Sequence, residues 1–119
     1  MEEYKEWMKR AEQDSETAEY NLKGGKLEAA AFFMQQAAEK ALKAVHIKKF
    51  GTFPKIHDLV VLANKVSAPK EIVSYAKLLT PAYLYTRYPD YIKKEELIAK
   101  IEDLTKYCEE ILKWTKKNL

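Results

Sequence analysis

Cysteine is almost missing from this chain: Cys108 is the single one in 119 residues. No internal disulfide can form, and a lone thiol on an apolar helix stripe is expected to behave as a small hydrophobe. No histidine, second cysteine or nucleophile motif surrounds Cys108, so it does not read as a reactive thiol. Glycine and proline are scarce too, with three and four residues, which excludes long linkers and many tight turns. Neither sign of charge dominates. The 21 basic and 18 acidic residues leave a formal +3, too little to argue for a nucleic-acid binder unless a basic patch is local. No run approaches the roughly 20 apolar residues of a membrane span. The start, Met1-Glu2-Glu3-Tyr4-Lys5, carries no apolar signal core, so a cytoplasmic protein without membrane contact is expected. Alternating β-branched stretches are missing, which argues against a sheet. No Gly-rich phosphate loop, nucleophile elbow, paired-carboxylate motif or metal-ligand spacing appears, so neither metal nor cofactor is expected.

What remains is helical periodicity. The length fits one domain, residues 1–119, around one core. From about Glu2 to Lys23, the residues Tyr4, Trp7, Met8, Ala11, Ser15, Ala18 and Leu22 follow steps of three and four and form a narrow seam. Its small members allow close approach of a neighbouring helix, and Gly24-Gly25 ends the segment. The next helix, about Lys26 to Lys49, is apolar from Ala29 to Ala38 except at Gln35 and Gln36. One stripe cannot fill that window, so this helix must touch partners on more than one side, as the central helix or at a subunit interface. Phe50 to Lys55 reads as a loop, and Ile56 to Val66 as a short helix. Pro69 suits the restart of a fourth helix reaching Tyr85 or Arg87, which Pro81 should kink or cut. Pro89 breaks the chain. A last helix, about Lys94 to Lys117, carries Leu97, Ile101, Leu104, Cys108, Ile111 and Thr115 at heptad-like spacing. Short connections favour antiparallel neighbours, so the expected fold is all-α: an up-down antiparallel bundle of four long helices plus one short helix.

Three stretches, in this order, carry a resemblance. They are Ala30-Ala31-Phe32-Phe33-Met34-Gln35-Gln36-Ala37-Ala38-Glu39-Lys40-Ala41-Leu42-Lys43-Ala44, then His57-Asp58-Leu59, then Thr86-Arg87-Tyr88-Pro89-Asp90. Together they resemble a HEPN domain over nearly the whole chain. That resemblance implies a helical bundle, often homodimeric. It also implies a frequent partner, a minimal nucleotidyltransferase, in toxin–antitoxin pairs. The toxin members of that family are metal-independent ribonucleases with an arginine followed, after four to six residues, by a histidine. Counted from Arg87, the histidine would stand at 92 to 94, where this chain has Ile92, Lys93 and Lys94. Arg10 offers no such histidine either, because His46 and His57 are the only two. The family's nuclease activity is therefore not carried over, since such catalysis needs a group that exchanges protons near neutral pH.

Arg87, Tyr88, Asp90, His57, Lys40 and Lys43 form the candidate nucleotide- or phosphate-binding set. A guanidinium grips phosphate through paired donors, but Arg87 equally suits a helix C-terminus paired with Asp90. Five of the eight tyrosines, Tyr75, Tyr83, Tyr85, Tyr88 and Tyr91, crowd this region. They suit base stacking or a wet protein interface. His57 either approaches Arg87 to bind a nucleotide or fixes the loop, while Asp58 suits the positive end of a helix. Gln36, Glu39, Lys40 and Lys43 lie on the second helix, where Gln36, Lys40 and Lys43 can share a face; they form a solvated or interface face, or line a cleft with Arg87. Phe32, Phe33, Gln36, Tyr83 and Tyr85 form the candidate dimer or partner interface. The expected function is a non-catalytic module that homodimerises and binds a partner. The alternative is a nucleotide- or RNA-binding protein, or a divergent ribonuclease, using Arg87 and His57.

Overall fold

In a computed structural model, residues 2–119 are described, and Met1 lies outside them. Five α-helices follow one another: α1 (Glu3–Lys23), α2 (Leu27–Phe50), α3 (Leu59–Lys65), α4 (Lys70–Leu79) and α5 (Lys94–Lys117). Among the described residues there is no strand, and the architecture is an all-α bundle. Tyr4 meets Lys48 while Asp14 meets Lys40, so α1 and α2 run antiparallel. Tyr75 of α4 stacks on Tyr107, and Tyr85 further on lies beside Glu96, so the chain after α4 runs back along α5.

The central position of α2 follows from its composition. Thirteen of its residues are buried, seven of them alanine or valine between Ala30 and Val45. It packs against α1, α3, α5 and the turn after α4. Ala11 and Ala18 on α1 and Ala37, Ala38, Ala41 and Ala44 on α2 are at most 2 % exposed. Small side chains let helix backbones approach and still exclude water. The α5 stripe from Leu97 to Thr115 is buried throughout, as its spacing requires.

Two boundaries differ from the sequence reading, each for a local reason. The short helix starts at Leu59 rather than Ile56, because the Asp58 carboxylate accepts from the backbone N–H of Val60 at 2.8 Å and Val61 at 3.3 Å. That capping bond satisfies donors that have no helical acceptor. The fourth helix stops at Leu79, and Thr80–Leu84 tightens into a 3₁₀ turn. Pro81 has no N–H to give the carbonyl four residues back, so the α-ladder ends there. The long fourth helix thus becomes a ten-residue helix with a 3₁₀ extension.

Gly51 closes α2 with φ of 79°, a left-handed conformation suited to glycine, and its N–H reaches the carbonyl of Ile47. Ser67 takes the same region, with φ of 58°, without being glycine. Overpacking the alanine seam should be costly. Ala37→Leu is expected to lower stability by about 1–3 kcal/mol, read as a lower midpoint in urea denaturation.

Candidate functional site

The polar centre of the molecule lies at the junction of α2, α1 and the loop leading to α3. Gln35, Glu39 and Lys43 stand at successive steps of four on α2, on one face. All three are buried, Gln35 completely, although Lys and Glu are seldom found inside. The Lys43 ammonium donates to Glu39 Oε2 at 2.9 Å. His57 Nδ1 sits 3.0 Å from Oε2 and 3.2 Å from Oε1 of the same carboxylate. Gln35 Nε2 donates to the carbonyl of His57 at 3.3 Å and reaches Glu39 Oε1 at 3.4 Å. Gln36 Nε2 in turn donates to Gln35 Oε1 at 2.7 Å. A buried charge is tolerated only when paired and hydrogen-bonded, and this network meets that condition.

Aromatic rings seal it. Trp7 from α1 and Phe53 from the loop meet edge to face, with centroids 4.6 Å apart. The Lys43 ammonium lies 5.3 Å from the Phe53 centroid and 5.9 Å from that of Trp7. The rings exclude water and offer their negative faces to the cation. His57 is the exception to this enclosure: its side chain is 71 % exposed, while that of Glu39 is 7 % exposed. An ionised carboxylate bound to Lys43 only accepts, so Nδ1 of His57 carries the hydrogen and donates to it. The ring's contacts with Glu39 run through Nδ1, and most of the rest of the side chain is exposed. This arrangement fixes tautomer and ring orientation, as in sites where a carboxylate prepares an imidazole to take a proton or hold a ligand.

Not all the candidate residues share this place. Lys43 and His57 meet on Glu39. Lys40 turns to α1, where its ammonium pairs with Asp14 Oδ2 at 2.6 Å. Arg87 lies beyond the 3₁₀ turn, where the neighbouring Thr86 borders a hollow with Gly25 and Ala29 at the start of α2. Twelve residues of α2 from Leu27 to Glu39 span about 18 Å, so Arg87 stands near the start of α2 and His57 near its middle. Among the described residues Arg87 forms no ion pair with Asp90 or any other acid; its guanidinium carbon lies 6.0 Å from the Tyr83 ring. Tyr88 and Asp90 are exposed beside it.

The interface candidates also separate. Tyr85 is 5 % exposed and belongs to the chain's own core, and burial pushes its hydroxyl above the usual tyrosine range, helped by Tyr91 and Glu96. Phe33 packs on the core, whereas half-buried Phe32 packs on Phe33, edge to face at 5.3 Å. Gln36 and Tyr83 are half-buried. A second hollow of about 450 Å³ opens between the 3₁₀ turn and α5, lined by Leu78, Pro81, Tyr85, Tyr91 and Tyr107 among others.

Sequence reasoning placed Glu39 beside Lys40 and Lys43 on α2 without naming its partner His57, and missed Gln35, Trp7 and Phe53 as members of the same centre. The signal was the unbroken step of four, Gln35-Glu39-Lys43, inside an apolar window. The face chosen instead, Gln36-Lys40-Lys43, crosses two different environments.

An all-helical bundle with a histidine anchored on a buried carboxylate–lysine pair is the class that fold and site define. The HEPN domain family model matches residues 4–119, and the chain belongs to that family. The chain is similar to the crystal structure of TT1696 from Thermus thermophilus, at 28% identity and a TM-score of 0.87 over 100% of both chains. It is also similar to ST0689, an archaeal HEPN homologue, at 30% identity and a TM-score of 0.77, covering 96% of this chain and 95% of that one. No curated protein matches it. No helix of the described residues is long and apolar enough to cross a membrane.

Two outcomes test the site. Glu39→Ala leaves the Lys43 ammonium buried without a partner and should cost about 3–5 kcal/mol, measured by urea unfolding. Cys108 is 2 % exposed, and burial chiefly pushes its thiol up to about 12 from an ordinary value near 9. Unfolding frees that thiol to ionise, so the unfolded state holds fewer protons between those two values. Cys108 therefore contributes to a loss of stability as pH rises from about 9 to about 12. In the native protein it should resist a thiol reagent at pH 8 and react promptly in urea.

Proposed function

We propose that this chain is a non-catalytic HEPN module that forms a homodimer and binds a partner, a minimal nucleotidyltransferase in a toxin–antitoxin-like pair, with nucleotide binding as a secondary role. The observation that carries this reading is Phe32. It is a large apolar side chain on the central helix that rests on Phe33 rather than joining the core, beside half-buried Gln36 and Ala29. A surface of that kind is stabilised by covering it with a matching surface. The non-catalytic part of the reading rests on sequence: Ile92, Lys93 and Lys94 occupy the places where the family's nuclease members carry histidine. A lysine there would have to be strongly desolvated to exchange protons near neutral pH, and Lys93 and Lys94 are exposed.

A second reading draws on one separate observation, the exposed His57 ring anchored by Glu39. It makes the protein a nucleotide or RNA binder, or a divergent ribonuclease, in which His57 supplies the proton acceptor. Arg87 would act elsewhere, because within one chain it does not reach His57. Calorimetric titration with ATP and with a short RNA separates the readings: heat of binding that is lost in a folded His57→Ala variant would favour this second one.

For the first reading the expected result is a dimer by light scattering at micromolar concentration. Phe32→Glu should weaken dimerisation at least tenfold, the effect of losing about 1.4 kcal/mol or more at an interface centre, while circular dichroism keeps its helical signal. A wild-type monomer at high micromolar concentration would overturn it.

A further inference from the structure

The hollow of about 450 Å³ between the 3₁₀ turn and α5 includes no residue of the His57 centre and none of the Phe32 surface. It lies where Pro81 ends the α4 ladder, and two ties mark its length. At one end Tyr75 of α4 stacks on Tyr107 of α5, with centroids 5.2 Å apart. At the other, the rings of Tyr85 and Tyr91 stand 5.9 Å apart, with Glu96 beside Tyr85. The chain from Tyr75 to Tyr85 therefore runs antiparallel to α5. Between the two ties, Lys77 lines the hollow from α4 and Asp103 lines it from α5.

The lining is apolar and aromatic at its base and charge-balanced around it. Leu104 and Tyr85 are buried, while Leu78 and Tyr91 are large apolar side chains left 50 % and 49 % exposed. Two cations, Lys77 and Lys100, and two acids, Glu96 and Asp103, complete it. Glu96 and Lys100 satisfy each other at 3.3 Å along one helix. Lys77 and Asp103 are different: among the described residues neither forms an ion pair, with the other or with any third group. A purely cationic ligand would be repelled by Lys77, and a purely anionic one by Asp103. A ligand with both charges at one end and a ring at the other matches every part of the lining. Tyrosine rings pair with another ring edge-on or offset. The volume lies low in the range of ~300–1,000 Å³ for small-ligand sites, which suits a single amino acid.

We propose that this hollow binds a free aromatic α-amino acid, with its carboxylate on Lys77, its ammonium on Asp103 and its ring among Leu78, Tyr85 and Tyr91. Each exposed ion pair is weak alone. Both form on one small ligand, so the second is made without a further loss of translational freedom. The site uses neither Phe32 nor His57 and stands apart from the homodimer proposed above.

Calorimetry on the full chain tests this with L-phenylalanine and three relatives that each lack one part of it. L-Phenylalanine is expected to bind with a Kd of about 1 mM or tighter. 2-Phenylethylamine lacks the carboxylate and 3-phenylpropanoate lacks the ammonium, and each should bind at least about fivefold more weakly. Glycine, without a ring, should give no measurable heat. Lys77→Met should abolish the preference for phenylalanine over phenylethylamine, and Asp103→Asn the preference over phenylpropanoate. Both positions are exposed, and circular dichroism checks that the variants stay helical. No heat with L-phenylalanine overturns the site. The amine binding as tightly as phenylalanine overturns the role of Lys77, and the acid binding as tightly overturns that of Asp103. Preferences that survive both substitutions put the amino acid elsewhere on the chain and overturn the assignment to this hollow.

Discussion

Close approach between alanine-lined helices is the constraint on which the rest of this molecule depends. Ala11 and Ala18 of α1 and the alanine series of α2 are buried with almost no exposure. An alanine contributes little apolar area, so such a seam is stable only when backbones come near enough to exclude water along the whole length. Once α1 and α2 are locked in this way, their outer edges are fixed in register. Tyr4 then meets Lys48, Asp14 meets Lys40, and Trp7 is held over Lys43. The larger side chains of α5, from Leu97 to Leu112, fill the remaining side of α2.

That register gives the polar centre its shape. Trp7 arrives from α1, Glu39 and Lys43 from α2, and Phe53 and His57 from the loop between α2 and α3. Each comes from a segment whose position is set elsewhere: by the alanine seam, by the left-handed Gly51 that turns the chain, and by Asp58 capping α3. His57 is held both through its ring, by Glu39, and through its carbonyl, by Gln35. A residue anchored at two points on a capped loop loses little further freedom on meeting a ligand, which is the physical content of preorganisation.

Much of the architecture was legible in the sequence. The α5 stripe, the over-apolar α2, the break at Gly24-Gly25 and the interruption at Pro81 all follow from spacing and from the chemistry of single residues. The start of α3 was misplaced because Ile56 is apolar and fits the helical pattern, while the capping carboxylate of Asp58 overrides it. The candidate site was legible only in part. His57 and Lys43 could be nominated by residue type, but nothing local to either names Glu39 as their common partner. That pairing spans 18 positions between His57 and Glu39, and depends on a loop whose path is set by tertiary packing. Arg87 and His57 could be grouped as types suited to phosphate, yet their separation along α2 is a property of the fold alone.

The buried ion pair itself calls for a reason. Two apolar residues of similar volume would fill the space around Glu39 and Lys43, and such replacements are often neutral or stabilising. Stability alone therefore does not explain why the centre of the bundle holds charge. What an apolar pair would lose is the carboxylate that orients His57, and with it the fixed direction of the ring. Lys43 serves that same end at one remove, because its ammonium pairs with the carboxylate at 2.9 Å inside the fold. Trp7 and Phe53 complete the logic by excluding water that would otherwise compete for both partners. The network is costly for a fold and useful for a site, and the one member it exposes is the histidine.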